Sequence, residues 1–268
     1  MNITPLPTTI LYAPRLEERL GVRLIIATET FQRTGSFKFR AGYSVAQNIV
    51  QPMVISASSG NFGQGIALAC KIFGKACTVV MPHNSAGVKV EAVRGYGATV
   101  DLVDTSKVAR ADRVAELAAA HPDAYVASAY DDPFVIDGNA SLGTELAVLG
   151  ADVVVAPIGG GGLTSGLILG LRRARSATKV VGAEPAMAND AARSLREGRI
   201  VRNEREPQTI ADGARTLSVG AHNWTILQDG LDGIVEVPED AIAEGLRLAF
   251  SLANLKVEPT GALAIGAV

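Results

Sequence analysis

The most informative segment of the chain is Ala151-Asp-Val-Val-Val-Ala-Pro-Ile158, followed by Gly159-Gly-Gly-Gly162 and Leu163-Thr-Ser-Gly-Leu-Ile-Leu-Gly-Leu-Arg-Arg173. It predicts a short buried strand, a glycine turn and a helix. Glycines without Cβ atoms let backbone N–H groups converge on an anion, and the helix N-terminus adds positive potential there. The stretch therefore predicts a phosphate site and an α/β fold.

Other interpretations of the four glycines are weaker. A flexible linker rarely joins a buried strand to an amphipathic helix. Thr164 and Ser165 stand where a dinucleotide fingerprint needs its third glycine, and no Gly-Lys-Ser/Thr follows to make a P-loop.

A second strand, turn and helix are predicted over Val54 to Cys70, with Ser58-Ser59-Gly60-Asn61 at the turn. One of these polar residues would suffice to cap the helix. The additional donors beside unpaired helix N–H groups indicate a carboxylate site, with Asn61 available to hydrogen-bond a ring hydroxyl.

A third segment, Phe31 to Arg40, carries Lys38 between Phe37 and Phe39. Desolvation by these rings favours a neutral amine, which can form a Schiff base with an aldehyde. Taken alone, Lys38 is better interpreted as a solvated lysine whose stem covers apolar surface. The two anion sites favour the first interpretation.

Apolar periodicity predicts alternating strands and helices, hence parallel sheets covered by helices. The predicted strands are 23–28, 53–57, 77–81, 99–103, 124–128 and 151–158. The predicted helices are 36–48, 61–73, 88–96, 107–121 and 139–149, with a loop before the last of these.

Composition limits the class of protein. The 268 residues are 48% hydrophobic and 19% charged, with a net charge of −2. These values are typical of a folded soluble enzyme and give no electrostatic reason to expect nucleic acid. Cys70 and Cys77 alone support neither a disulfide framework nor a zinc site. With no signal peptide and no long apolar run, we expect a cytoplasmic protein without membrane partners.

The ordered motifs Ser36-Phe-Lys38, Ser58-Ser-Gly-Asn61 and Gly159 to Gly162 resemble those of the fold-type II pyridoxal-phosphate enzymes, the tryptophan synthase β-like group. The resemblance extends along the chain and is strongest to the threonine/serine dehydratase and serine racemase branch. Further matches are Thr4-Pro-Leu6, Tyr96-Gly-Ala98, Ala183-Glu-Pro185, Thr209 to Gly213 and Glu258-Pro-Thr260.

This resemblance implies two three-layer α/β domains with mainly parallel sheets and the cofactor in the cleft between them. We expect the small domain at 53–130 and the large one at 1–52 and 131–268. By analogy Lys38 is the Schiff-base lysine, and Ser59 lies on the opposite face of the cofactor as a second catalytic residue. The cofactor-binding residues implied are Lys38, Asn61, Gly159, Gly160, Gly161, Gly162, Leu163, Gly213 and Glu258. The substrate-binding residues implied are Ser58, Ser59, Asn61 and Phe62.

Glu184, Ala188 and Asp190 form a second candidate site. They read equally well as the acidic start of a helix. The two carboxylates and the Ala188 carbonyl are, however, oxygen ligands suited to Mg²⁺ or Ca²⁺. The racemase-like branch has such a metal site at the matching positions.

The chain departs from the family pattern at three places. Phe62 stands where many dehydratases have histidine, Ala41-Gly42 replaces Gly-Ala, and Asn139-Ala-Ser141 replaces Gln-Gly-Thr. The first removes a polar contact on the substrate side, and the last leaves the substrate-side loop less defined.

The resemblance implies dehydration and deamination of a 3-hydroxy amino acid such as serine or threonine to a 2-oxo acid and ammonia. Serine racemase and 3-hydroxyaspartate dehydratase are the alternatives within the class, and a homodimer is the expected assembly. A non-catalytic phosphate-ligand binding protein is the alternative outside it, although phosphate capture does not need the Lys38 amine.

The sequence stops at Val268 inside an apolar helix predicted from Thr260. It carries no helix-ending signal there. Relatives continue through a segment that supplies the partner of the pyridine nitrogen. We expect the chain to be part of a longer protein, or a fragment that binds the cofactor weakly.

Overall fold

The computed structural model describes residues 3–58 and 60–268. The elements of the first half of the chain are β1 (Thr9–Tyr12), α1 (Pro14–Leu20), β2 (Ile25–Thr28), α2 (Lys38–Asn48), β3 (Met53–Ala57), α3 (Asn61–Ile72), β4 (Ala76–Pro82), α4 (Gly87–Gly95), β5 (Thr99–Val103), α5 (Arg110–Ala120), β6 (Ala124–Ala127) and α6 (Pro133–Ala147).

The second half contributes β7 (Val153–Pro157), α7 (Gly162–Arg173), β8 (Lys179–Pro185), α8 (Asp190–Glu197), α9 (Ala221–Gly230), β9 (Gly233–Val237), α10 (Glu239–Ala253) and α11 (Pro259–Gly266), with short 3₁₀ turns at Ala186–Ala188 and Asp212–Ala214.

Within residues 3–58 and 60–268, no helix combines the length and apolar character needed to cross a membrane.

The chain forms two compact units. The first comprises residues 3–6 and 31–139, and the second comprises residues 7–30 and 140–268. The expected domain bounds stay a prediction. Residues 31–52 and 131–139 lie in the same unit as residues 53–130. The physical reason is that α2 packs on α3 and that β6 is tied to the start of α6, so these segments share one core.

The first unit is built on a four-stranded parallel sheet in the order β5-β4-β3-β6. Strand β3 is central, with Val54 and Ile55 wholly buried. A strand buried on both faces is expected to be continuously apolar. Phe39 of α2, Phe62 and Ile66 of α3 and Val79 of β4 complete the core.

The second unit has a three-stranded parallel sheet in the order β7-β8-β9 and an antiparallel pair formed by β1 and β2. Ile158, Ile168 and Leu227 form one part of its core. Ile242 of α10 and Leu263 of α11 form another. The predicted α/β class with parallel sheets is confirmed.

Helix α6 begins at Pro133, so its predicted start near Asn139 was wrong. The Asp132 carboxylate accepts hydrogen bonds from the N–H groups of Phe134, at 2.8 Å, and Val135, at 3.3 Å. Proline fits the first helical position because its missing N–H needs no partner there. Asp132-Pro133 is therefore a helix start, which we had interpreted as part of a loop.

Candidate active site

Lys38 is the first residue of α2, in the first unit. Its Nζ atom donates a hydrogen bond to the Ala129 carbonyl at 2.6 Å. The same atom lies 5.2 Å from the centre of the Phe37 ring and 5.8 Å from that of Phe62. The hydrogen bond to a carbonyl oxygen and the cation–π contacts with two rings are interactions of an ammonium group, and they oppose the neutral amine that desolvation alone led us to expect.

The backbone of Lys38 is held by a close approach of α2 to α3. A Cβ atom on Gly65 would lie 2.6 Å from the Lys38 carbonyl oxygen, and one on Gly42 would lie 2.7 Å from the Gly65 carbonyl carbon. Both distances are too short for real side chains. The departure Ala41-Gly42, which had no explanation from the sequence, therefore provides the space in which the two helices touch.

The loop that carries Ala129 is organised by two side chains. Ser128 Oγ accepts the Asp131 N–H at 2.9 Å, and Asp132 Oδ2 accepts the Tyr125 hydroxyl at 2.9 Å. Burial, and then the Asp132 hydrogen bond and charge, raise the pKa of Tyr125 well above its ordinary range. Asp132 is itself buried. We had assigned it no role, although an Asp-Pro pair is a known helix-start signal.

The turn before α3 uses Ser58 as its cap. Ser58 Oγ accepts the N–H groups of Gly63 at 2.9 Å and Gly60 at 3.3 Å. Asn61 is half-buried at the first position of α3. The predicted catalytic residue Ser59 lies outside the described residues. Phe62 is buried in the core with its ring near Lys38 Nζ, which explains how an apolar residue fits at a position where the family resemblance led us to expect histidine.

Lys89 of α4 is a residue of this turn that sequence reasoning missed. A Cβ atom on Gly60 would lie 3.5 Å from Lys89 Nζ, so the lysine side chain lies beside the start of α3. Its positive charge adds to the potential of the helix N-terminus. The signal available in the sequence was only a basic residue in a helix, which is too common to identify it.

The predicted glycine turn forms in the second unit, between β7 and α7. Gly161 precedes α7 with a φ of 96°, in the left-handed region that favours glycine. A Cβ atom there would lie 2.9 Å from Leu227 Cδ1, and one on Gly159 would lie 2.9 Å from the Gly213 carbonyl oxygen. The turn is thus lined by backbone where side chains have no room.

Gly213 lies close to this turn, and Glu258 lies in the same unit, two residues before the Thr260 that Gly213 contacts. Gly213 contacts Gly159 and donates its N–H to Thr260 Oγ1 at 2.9 Å. Glu258 directly precedes α11, and its carbonyl accepts the Gly261 N–H at 2.9 Å. The structure therefore groups the predicted residues in two clusters. Lys38, Ser58, Asn61 and Phe62 lie in the first unit; Gly159, Gly160, Gly161, Gly162, Leu163, Gly213 and Glu258 lie in the second.

The predicted metal residues surround the start of α8. Both carboxylate oxygens of Glu184 accept backbone N–H groups, from Ala191 at 2.8 Å and from Ala192 at 2.9 Å. Asp190 Oδ1 accepts from the Asn203 amide at 2.9 Å, whereas its buried Oδ2 meets no hydrogen-bond donor among the described residues. Ala188 is buried in the short 3₁₀ turn that precedes α8.

Electrostatics at this helix start are unfavourable to two carboxylates. Burial, and then the charge of Asp190, raise the pKa of Glu184 to about 8. Burial likewise raises the pKa of Asp190 to about 6. In the described part of the chain no three Asp, Glu, His or Cys side chains cluster as a metal site does. A cation here would depend on two carboxylates, a carbonyl and water.

Comparison with known proteins gives one consistent result. The family described as "Pyridoxal-phosphate dependent enzyme" matches residues 2–268. The chain is 35% identical over 262 residues to L-threo-3-hydroxyaspartate ammonia-lyase of Saccharomyces cerevisiae, covering 96% of this chain and 80% of that protein. It is 31% identical to serine racemase of Mus musculus, covering 97% and 79%. The crystal structure of threonine deaminase from T.th. superposes with a TM-score of 0.92 at 39% identity, covering 98% of this chain and 87% of that one.

Proposed function

The chain belongs to the family of pyridoxal-phosphate-dependent enzymes, and we propose that within it the chain is an ammonia-lyase acting on a 3-hydroxy amino acid. The family's ammonia-lyases and racemases are its relatives. Serine, threonine and 3-hydroxyaspartate are the candidate substrates, because the names of these relatives contain them.

The residues present fit the cofactor. The glycine turn presents backbone without side chains at a helix N-terminus, where added Cβ atoms would clash, and this arrangement suits a phosphate. We propose that Gly159 to Gly162 and the Leu163 N–H hold the phosphate and that Lys38 holds the aldehyde end. Asn61 is the proposed partner of the ring hydroxyl. Pyridoxal phosphate, when bound, supplies an aldehyde that condenses with amines and a ring that delocalises the electron pair left by proton removal.

Lys38 is the proposed base. Once its amine is free it can accept the Cα proton at Nζ, and the resulting ammonium has the Ala129 carbonyl and the rings of Phe37 and Phe62 around it. These contacts stabilise the charge that the proton brings. Proton transfer by such a positioned group contributes about 10²- to 10⁴-fold to rate.

The start of α3 is the proposed site for the substrate carboxylate. The helix dipole at the start of α3 and the Lys89 ammonium favour a negative charge there. The Gly63 N–H is occupied by Ser58 Oγ, which fixes the shape of the turn rather than binding the carboxylate. In the overall reaction water leaves as the Cβ–OH bond breaks. One water molecule is then consumed when the C–N bond is hydrolysed, so that serine gives pyruvate and ammonia overall.

The observation that carries this proposal is the Lys38 amine held by Ala129 beside two aromatic rings. The test is a panel of L-serine, L-threonine and L-threo-3-hydroxyaspartate with the protein loaded with pyridoxal phosphate, scored for 2-oxo acid and ammonia in equal amounts. We expect turnover of at least one substrate. No turnover of any of them by a protein that binds the cofactor would refute the proposal.

Serine racemisation is the second candidate function, supported by the identity to serine racemase. It requires a proton donor on the face opposite Lys38, and Ser59 is the predicted donor. Chiral analysis of the serine remaining after partial conversion separates the two functions. We expect Ser59→Ala to suppress inversion far more than elimination, and equal losses would assign Ser59 to substrate positioning instead.

A divalent cation at Glu184, the Ala188 carbonyl and Asp190 is a further part of the proposal. Two buried carboxylates whose pKa values are both raised gain stability from a positive charge between them. The proposed role of the ion is to order the start of α8.

A further inference from the structure

We infer that Asn223 is a positioning residue for the phosphate. Its side-chain amide binds the Gly160 carbonyl and thereby fixes the orientation of the glycine turn. The inference rests on the proposed function of Gly159 to Gly162 as a phosphate cradle. Asn223 lies in the first turn of α9 and is wholly buried. It belongs to none of the motifs that suggested the site.

The Gly160 carbonyl is held by two donors. Asn223 Nδ2 donates to it at 2.8 Å, and the Gly220 N–H donates to it at 3.0 Å. The Asn223 backbone carbonyl in turn accepts the hydroxyl of Ser165, a buried residue in the first turn of α7, at 3.4 Å. The start of α9 therefore connects to the glycine turn and to the helix that follows it.

Planarity of the peptide bond converts this anchoring into a direction for a donor. In a trans peptide the C=O of one residue and the N–H of the next point to opposite sides. Fixing the Gly160 carbonyl against Asn223 turns the Gly161 N–H away from Asn223. A backbone cradle that cannot rotate its N–H groups binds an anion without ordering itself first.

Helix α9 packs tightly against the glycine turn. A Cβ atom on Gly161 would lie 2.9 Å from Asn223 Cβ and 2.9 Å from Leu227 Cδ1, so α9 lies directly against the turn. Leu227, on the same helix as Asn223, belongs to an apolar cluster with Ile158 and Ile168. A buried amide among such neighbours is costly unless it satisfies a group that needs a donor. The Gly160 carbonyl is such a group.

The experiment compares the affinity of the apoprotein for pyridoxal phosphate with its affinity for pyridoxal, which lacks the phosphate. Asn223→Asp keeps the shape of the side chain but replaces the amide donor with an acceptor. We expect the dissociation constant for pyridoxal phosphate to rise about tenfold, as the loss of one buried hydrogen bond predicts. Binding of pyridoxal should change by less than about twofold, a margin below the effect of one hydrogen bond.

Two further variants keep the test decisive. Gln228→Ala, on the exposed side of α9, should leave both constants unchanged. Ser165→Ala removes the hydroxyl that supports Asn223 and should raise the constant for pyridoxal phosphate by a smaller factor, which gives a readout should Asn223→Asp not fold. Equal weakening of both ligands, or no weakening in the variants that fold, would overturn the inference.

The experiment also distinguishes a failure of the proposed function from a failure of the inference about Asn223. If the unsubstituted protein bound pyridoxal as tightly as pyridoxal phosphate, the glycine turn would not be a phosphate cradle, and both proposals would fail together. If it preferred pyridoxal phosphate and produced 2-oxo acid while Asn223→Asp kept the same preference, only the inference about Asn223 would fail.

Discussion

Helices α3 and α7 each follow a strand and a short turn, yet the two helix starts offer opposite kinds of binding surface. The turn before α3 presents side chains: the Ser58 hydroxyl, the Asn61 amide and the nearby Lys89 ammonium. The turn before α7 presents backbone, since Gly159 and Gly161 have no room for a side chain.

This difference indicates what each helix start can recognise. Side chains can discriminate among substrates and move protons, and substitution can remove them one at a time. A backbone cradle recognises charge and shape alone, and a substitution damages it by adding atoms rather than by removing them. Substitutions at the two turns should therefore fail in different ways.

Removing the Lys38 amine should have the largest effect. Lys38→Ala should lower turnover by about 10³-fold or more, because the proposed base and the proposed covalent attachment are lost together. Turnover and the fraction of cofactor retained after borohydride treatment measure the two losses. Lys75→Ala is the matched control, since Lys75 Nζ also donates to carbonyls, those of Ile49 and Gln51. A Lys38→Ala protein that still fixed the cofactor covalently would contradict the assignment.

Adding a methyl group to the backbone cradle should come next. Gly161→Ala combines a positive φ with a clash against Asn223 and Leu227 and should lower stability by about 1 to 3 kcal/mol. It should also weaken binding of pyridoxal phosphate. Gly198→Ala is the control, because Gly198 has a φ of 66° with nothing near its Cβ position. It should cost about 1 kcal/mol and leave cofactor affinity intact. Similar cofactor affinities for the two variants would argue against a tight cradle.

Ser58→Ala should have a smaller effect of a different kind. The N–H groups of Gly60 and Gly63 lose their acceptor, which should cost about 1 kcal/mol of stability. KM for the amino acid should rise while the affinity for pyridoxal phosphate is maintained. Ser251→Ala, at an exposed position in α10, should change neither. A loss of cofactor affinity in Ser58→Ala without a change in KM would reverse the roles proposed for the two turns.

The start of α8 gives the smallest expected effect and a third case for the comparison, because there a buried carboxylate caps the helix. Mg²⁺ or Ca²⁺ should raise the melting temperature by a few degrees through binding to the folded state. Glu184→Ala should melt at a lower temperature and show no further response to the cation. Glu197→Ala, exposed in the same helix, should keep the response. An unchanged melting temperature in the presence of chelator would leave Glu184 as a helix cap only.

The sequence predicted the strands and helices well where apolar periodicity is regular. Strands β3 and β5 have the predicted bounds, and the glycine turn forms between a strand and a helix as expected. The start of α6 was missed because Asp131-Asp-Pro133 was interpreted as a loop rather than as a cap. The predicted location of the cofactor between the domains, the homodimer and the cytoplasmic location stay predictions.

The site was predictable where residues act through recognisable motifs and not where they act through packing. Lys38 and the glycine turn stand in short, ordered motifs. Asn223 and Ala129 reach the site across 63 and 91 positions of sequence, respectively, from Gly160 and Lys38. No local pattern marks such partners. The need for glycine at position 42 likewise becomes clear only from the close approach of α3.

The central claim is that Lys38 carries the cofactor. The most direct measurement is borohydride reduction of the protein loaded with pyridoxal phosphate, followed by digestion and mass spectrometric mapping of the modified lysine. We expect one pyridoxyl group per chain, on the peptide that contains Lys38. Modification of Lys89 or another lysine in its place, or no stable modification of a protein that is active, would show that Lys38 does not hold the cofactor.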